Sequence, residues 1–180
     1  PDAAGIWTAT AFGGAAAAST GPLAIADIDG DGRLDLLAGS DRGWAAWSLG
    51  SPDAGPIVDE AASGVSAWAV VQRDPVGGPS VFGLSASGLL EWMPSGNRPP
   101  YLALAPTGRE IASDQRRSNV SGVGARVAVR TASRWTAFET TRVESGPGQS
   151  LQPMSIGLGG APRADFVAIT WSDGVFQTEL

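Results

Sequence analysis

Ala26-Asp27-Ile28-Asp29-Gly30-Asp31-Gly32-Arg33-Leu34-Asp35-Leu36 sets four aspartates and two glycines between two short apolar runs. Counted from Asp27, the carboxylates of Asp27, Asp29, Asp31 and Asp35 occupy loop positions 1, 3, 5 and 9. Arg33 at position 7 offers its backbone carbonyl, and Gly32 at position 6 permits a sharp turn. Calcium loops of the EF-hand type place oxygens on the same schedule, because a hard cation takes six to eight oxygen ligands from a tightly wound backbone. The bidentate glutamate that closes such a loop is absent, since position 12 is Ala38. The flanks Leu23-Ala24-Ile25-Ala26 and Leu34 to Leu37 read as short strands instead of helices. The reading is therefore a strand, cation loop, strand unit, with Asp27, Asp29, Asp31, Asp35 and the Arg33 carbonyl as ligands and Ca2+ as the ion. A solvated Asp-Gly turn is the alternative, but four unneutralised carboxylates so close together repel one another.

Outward from this loop, a second copy of the pattern lies 45 residues on, where Leu23 to Gly50 realigns with Trp68 to Ser95. Asp29 falls on Asp74, Gly32 on Gly77, Ser40 on Ser85, Gly43 on Gly88 and Trp47 on Trp92. Asp27, Asp31 and Asp35 become Gln72, Val76 and Ser80, so the expectation is that only the first loop holds metal. Each copy reads as three short antiparallel strands joined by Gly-rich turns, a unit suited to a propeller blade or a stacked sheet. Trp7, Trp44, Trp47, Trp68 and Trp92 read as core plugs of these small sheets. A Pro-rich and Gly-rich joint around Pro94 to Pro100 divides the chain into residues 1–96 and 97–180.

The second half is also β. Ala125, Val127 and Val129 alternate with Arg126, Ala128 and Arg130, giving one buried and one wet face. Thr131-Ala132-Ser133 reads as a hairpin tip, Trp135 to Val143 as the return strand, and Phe166 to Trp171 as a third strand. The fold class expected is all-β: two propeller-blade-like antiparallel units plus a small β-sandwich or barrel.

Composition removes most reaction chemistry. The 180 residues include no Cys, no His and no Lys, and all 12 basic residues are Arg. Thiol nucleophiles, Ser-His-Asp triads, zinc sites of the usual kind and lysine-dependent phosphate loops are excluded. Carboxylate chemistry of the glycosidase kind survives, with Glu91, Glu139 or Glu144 as candidates, but no pair is marked by spacing. Residues 1–96 carry three Arg against eleven acids, and residues 97–180 nine Arg against seven. That balance disfavours a nucleic-acid partner, and Arg109, Arg116 and Arg117 read as a solvated loop. No apolar run approaches the length of a membrane span. The start at Pro1 fits a processed form or a fragment.

Two resemblances follow from these residues. The Asp-x-Asp-Gly-Asp-Gly-x-x-Asp-Leu core resembles the integrin-type FG-GAP or VCBS repeat, which implies Ca2+ held between two blade strands. Ser118-Asn119-Val120-Ser121-Gly122-Val123-Gly124-Ala125-Arg126-Val127 resembles the opening of the ASPIC/UnbV domain. Gly157-Leu158-Gly159-Gly160-Ala161 and Asp165 to Gly174 resemble its close, although Gln149 stands where that family commonly has a tyrosine. The Asn119-Val120-Ser121 sequon inside this motif reads as a turn. The resemblance implies a non-enzymatic, extracytoplasmic module, secreted or periplasmic, that meets a protein partner. The alternatives are an accessory structural subunit on the outer face of a membrane complex, and a carbohydrate-binding or glycosidase-like protein.

Overall fold

The computed structural model describes residues 23–40, 43–51, 54–61, 64–93, 98–108, 120–140 and 153–179. These residues form thirteen strands and no helix: β1 Leu23–Ala26, β2 Asp35–Ser40, β3 Gly43–Ser48, β4 Val58–Ala61, β5 Val65–Asp74, β6 Gly78–Ser85, β7 Gly88–Trp92, β8 Tyr101–Leu104, β9 Arg126–Thr131, β10 Arg134–Glu139, β11 Met154–Gly157, β12 Phe166–Thr170 and β13 Phe176–Glu179. Every pairing is antiparallel. No helix among the described residues is long and apolar enough to cross a membrane.

The first half makes two meanders, β1-β2-β3-β4 and β5-β6-β7. The 45-residue repeat is visible in their registers: Leu36 pairs with Trp47 on β2 and β3, as Val81 pairs with Trp92 on β6 and β7. The first unit is longer than the sequence pattern indicated, because β4 adds a fourth strand to β3. The two sheets bury one face each against the other around Ile28, Leu37, Trp44, Ala46, Trp68, Val70 and Val81. Trp68 and Trp92 stack at 5.1 Å inside this layer, and Trp47 is also buried, so the tryptophans plug small sheets as expected. Trp7 lies outside the described residues.

The equivalence of the two units exposes a difference between them. Leu23 and Ile25 correspond to Trp68 and Val70, yet they are 60% and 55% exposed where their counterparts are 7% and 9% exposed. The face that the second sheet turns toward its neighbour is the one on which the first sheet leaves these two side chains open to water.

The second half is a sandwich and not a closed barrel. The two-stranded sheet β8-β11, whose strands are separated in sequence by β9 and β10, packs on the sheet β10-β9-β12-β13. Leu102, Leu104 and Ile156 from the smaller sheet meet Val127, Val129, Val167 and Ile169 from the larger one, with Trp171 just beyond β12. The alternation of β9 is as read, with Val127 and Val129 buried and Arg126 and Arg130 exposed. The hairpin tip is also as read, Thr131 pairing with Arg134 across Ala132 and Ser133. Ala132 adopts a positive φ of 51°, and its N–H donates to Asp165 Oδ2. The short partner strands β8, β11 and β13 carry no repeat and weak alternation, which is why sequence reading passed over them. Arg109, Arg116, Arg117, Asn119, Glu144 and Gln149 lie outside the described residues.

The two apolar clusters share no residue, so their contributions should be independent. Leu37→Ala in the first and Ile156→Ala in the second should each cost about 2–5 kcal/mol in urea unfolding. The double variant should lose the sum to within about 0.5 kcal/mol.

Candidate metal centre

The loop from Asp27 to Asp35 joins β1 to β2, whose antiparallel pairing brings its two ends together as Ala26 against Asp35. Gly30 and Gly32 take φ of 81° and 79°, a left-handed conformation that side chains disfavour, and so coil the loop back on itself. The inward coil aims backbone amides at the aspartates. Asp27 Oδ1 accepts the N–H of Gly30 at 2.8 Å, and Asp27 Oδ2 accepts those of Gly32 at 2.9 Å and Gly157 at 3.0 Å. Asp35 Oδ2 accepts the N–H of Ile28 at 2.8 Å. Asp29 and Asp31 make the short turns typical of aspartate, to the N–H of Asp31 and of Arg33.

One group of three acidic side chains converges among the described residues. Oxygens of Asp27, Asp29 and Asp35 all lie within 4.8 Å of one another. Two ligands on opposite sides of one Ca2+ lie about 5 Å apart, given metal–oxygen distances of about 2.3–2.6 Å, so the spacing suits a single ion. Asp31 stands outside this group of three, its Oδ1 accepting the Arg33 N–H at 2.7 Å. Ala38, at loop position 12, sits in β2 opposite Leu23 and Ala45, so a strand occupies the place where an EF-hand carries its closing ligand.

Electrostatics gives an independent reason for a cation. Asp35 is 0% exposed and Asp27 2% exposed. Removal from water, reinforced by the neighbouring aspartates, pushes Asp27 up to about 6 and Asp35 up to about 7, although the amide donors pull the other way. Asp35 Oδ1 is buried without a hydrogen-bond partner. No arginine forms an ion pair with the cluster among the described residues. A partnerless buried carboxylate oxygen on one of three converging acids is an arrangement a hard cation would satisfy, and Asp27, Asp29 and Asp35 are the residues that would hold it, the ion supplying charge neutralisation.

Neighbouring elements clamp the loop. The Tyr101 hydroxyl donates to the Ile28 carbonyl at 2.9 Å, and burial raises its pKa above the ordinary tyrosine value. Arg98 donates to the carbonyls of Ile28 and Pro79 at 3.1 and 2.9 Å. Gly159 N–H donates to the Gly30 carbonyl at 3.0 Å. None of these residues was marked as a site residue by sequence; that Tyr101 is the chain's single tyrosine was the one available signal.

The second loop is different. Asp74 is exposed, and the amides of Val76 and Gly77 draw its pKa below the ordinary value. Of the carboxylates read as catalytic candidates, Glu91 is paired with Arg73 at 3.1 Å and Glu139 is exposed on β10. Trp44, Trp68 and Trp171 are all buried, leaving no open ring face of theirs for a sugar.

Residues 115–179 match the protein-family model described as ASPIC and UnbV. No curated protein matches the chain. The matched stretch contains β9 to β13, so the described strands of the larger sheet of the sandwich all fall within it.

Because the folded-state values of Asp27 and Asp35 are raised, the metal-free fold binds more protons than the unfolded chain between about pH 4 and pH 7. Its stability should therefore fall as pH rises across that interval and level off above it. Thermal unfolding in EDTA at about pH 5 and pH 8 measures this, and Asp35→Asn should flatten the slope.

Proposed function

We propose that the protein is a non-enzymatic, calcium-stabilised extracytoplasmic β module that serves protein interaction or adhesion, its first loop being of the FG-GAP or VCBS type. The observation that carries the calcium reading is the convergence of Asp27, Asp29 and Asp35, one of which, Asp35, keeps a buried oxygen with no hydrogen-bond partner. Extracellular calcium modules bind at about 0.1–1 mM, and an ion at about ten times its dissociation constant stabilises the fold by about 1.4 kcal/mol. The ion would act by holding two desolvated carboxylates in place.

The interaction reading rests on the sheet surfaces. Leu23 and Ile25 on the first sheet, Leu84 and Leu89 on the second, and Trp135 and Phe176 on the sandwich are all more than half exposed. Leu84 and Leu89 lie directly opposite each other on β6 and β7, and adjoining exposed apolar side chains of this kind suit contact with another protein. The ASPIC and UnbV match over residues 115–179 supports a location outside the cytoplasm, and a loop that binds calcium in the millimolar range would fit it.

The test is thermal unfolding in EDTA, in millimolar Ca2+ and in millimolar Mg2+. Calcium should raise Tm by about 3–5 °C, and magnesium by less. Asp29→Ala combined with Asp31→Ala should abolish the calcium-dependent rise while leaving Tm in EDTA nearly unchanged. An equal loss of stability with and without calcium would overturn the reading.

A further inference from the structure

The turn after β11 and the acidic loop are far apart in sequence, and the chain packs one directly on the other. Gly157 donates its N–H to Asp27 Oδ2 across 130 positions, at 3.0 Å. Two residues on, Gly159 donates to the Gly30 carbonyl at 3.0 Å, and between them Leu158 is buried with its N–H on the Pro100 carbonyl. The approach leaves no room for a side chain. A Cβ on Gly157 would collide with Asp27 Oδ2 and fall within 2.6 Å of the Gly30 backbone, and one on Gly32 would meet the Arg134 guanidinium and the Gly157 carbonyl. Gly160, in the same turn, has nothing within 4 Å of its Cβ position.

We infer that the cation site is shared between the two halves of the chain, with Gly157 as a positioning residue: its amide fixes Asp27 in the orientation that ligates the ion. This rests on the calcium reading above. Asp27 takes three amide donors, two from its own loop and one from the second half. The Gly157 amide holds the same Asp27 carboxylate that would ligate the ion, so seating the turn and placing the ligand are one geometric event. The effect is reciprocal, since whatever the seated turn adds to cation affinity the cation adds to the seating of the turn. Gly157 and Gly159, which belong by sequence to the second half, thus complete a site whose acids all belong to the first.

Calcium titration calorimetry on the full chain, together with amide exchange by NMR, tests this. Gly157→Ala should weaken calcium binding about tenfold, whereas Gly160→Asn, in the same turn at a φ of 89° that asparagine tolerates and with nothing within 4 Å of its Cβ position, should stay within about twofold of wild type. In the wild-type protein, calcium should slow exchange of the Gly157 and Gly159 amides about tenfold relative to EDTA. If wild type binds calcium but Gly157→Ala binds as well and exchange at both amides is unmoved, the shared site is overturned and the calcium reading stands. If wild type binds no calcium, both fall. Should Gly157→Ala not fold, the exchange measurement on wild type decides alone.

Discussion

Burial of two carboxylates is the constraint around which the described structure is arranged. Asp27 and Asp35 are almost wholly removed from water, and a charge in that position is tolerated only when donors or a counter-ion replace the lost solvation. Amides supply part of the replacement, and their sources explain much of the architecture. The left-handed glycines turn the loop so that Gly30 and Gly32 donate to Asp27. The pairing of β1 with β2 brings Asp35 back beside the start of the loop, where Ile28 donates to it. Yet the raised pKa of both groups and the bare Asp35 Oδ1 show that the amides do not finish the task. What remains is a site of excess negative charge, preorganised in the fold.

The same loop is one of the places where the two halves of the chain touch, together with β6 and the turn before it. Tyr101 and Arg98 reach the Ile28 carbonyl, and Gly157, the cross-strand partner of Tyr101, and Gly159 reach Asp27 and Gly30. Ile28 itself is fully buried and belongs to the core between the two meanders. A single residue therefore contributes its side chain to one core and its carbonyl to the contact with the next unit. The two apolar clusters meet through this loop and through β6 with the turn before it, so the chemistry of the loop is one contribution to the relative seating of both.

The second repeat shows what happens when the carboxylates are removed but the strand pattern is kept. Gln72, Val76 and Ser80 replace the three aspartates, and the β5-β6-β7 meander still forms in the same register. Asp74 keeps the local turn to the Val76 amide but lies in water, so its charge is stabilised and not frustrated. Strand pairing thus depends on the apolar alternation and the glycine turns, while the convergence of carboxylates depends on the acids that only the first unit carries. The two signals are superimposed in the first unit and separated in the second.

Local signals in the sequence were sufficient for the strands of both repeats, the alternation of β9, the hairpin at Ala132 and the identity of the acidic loop, because each is written in neighbours within a few residues. Period-two alternation and turn residues act over that range. The strands β4, β8, β11 and β13 were not legible, since each is four residues long and is stabilised by a partner already in place. Nor could sequence show that Asp27, Asp29 and Asp35 converge while Asp31 stands apart, or that a glycine 130 positions away donates to Asp27. Those facts arise from close approach between distant segments, which depends on the packing of whole sheets and leaves no trace in local spacing. The chain by itself determined that it is all-β and that one loop is rich in carboxylates. Tertiary structure alone decided that this loop is buried between two units, and burial is what makes the ionised form of its acids costly and raises their pKa values.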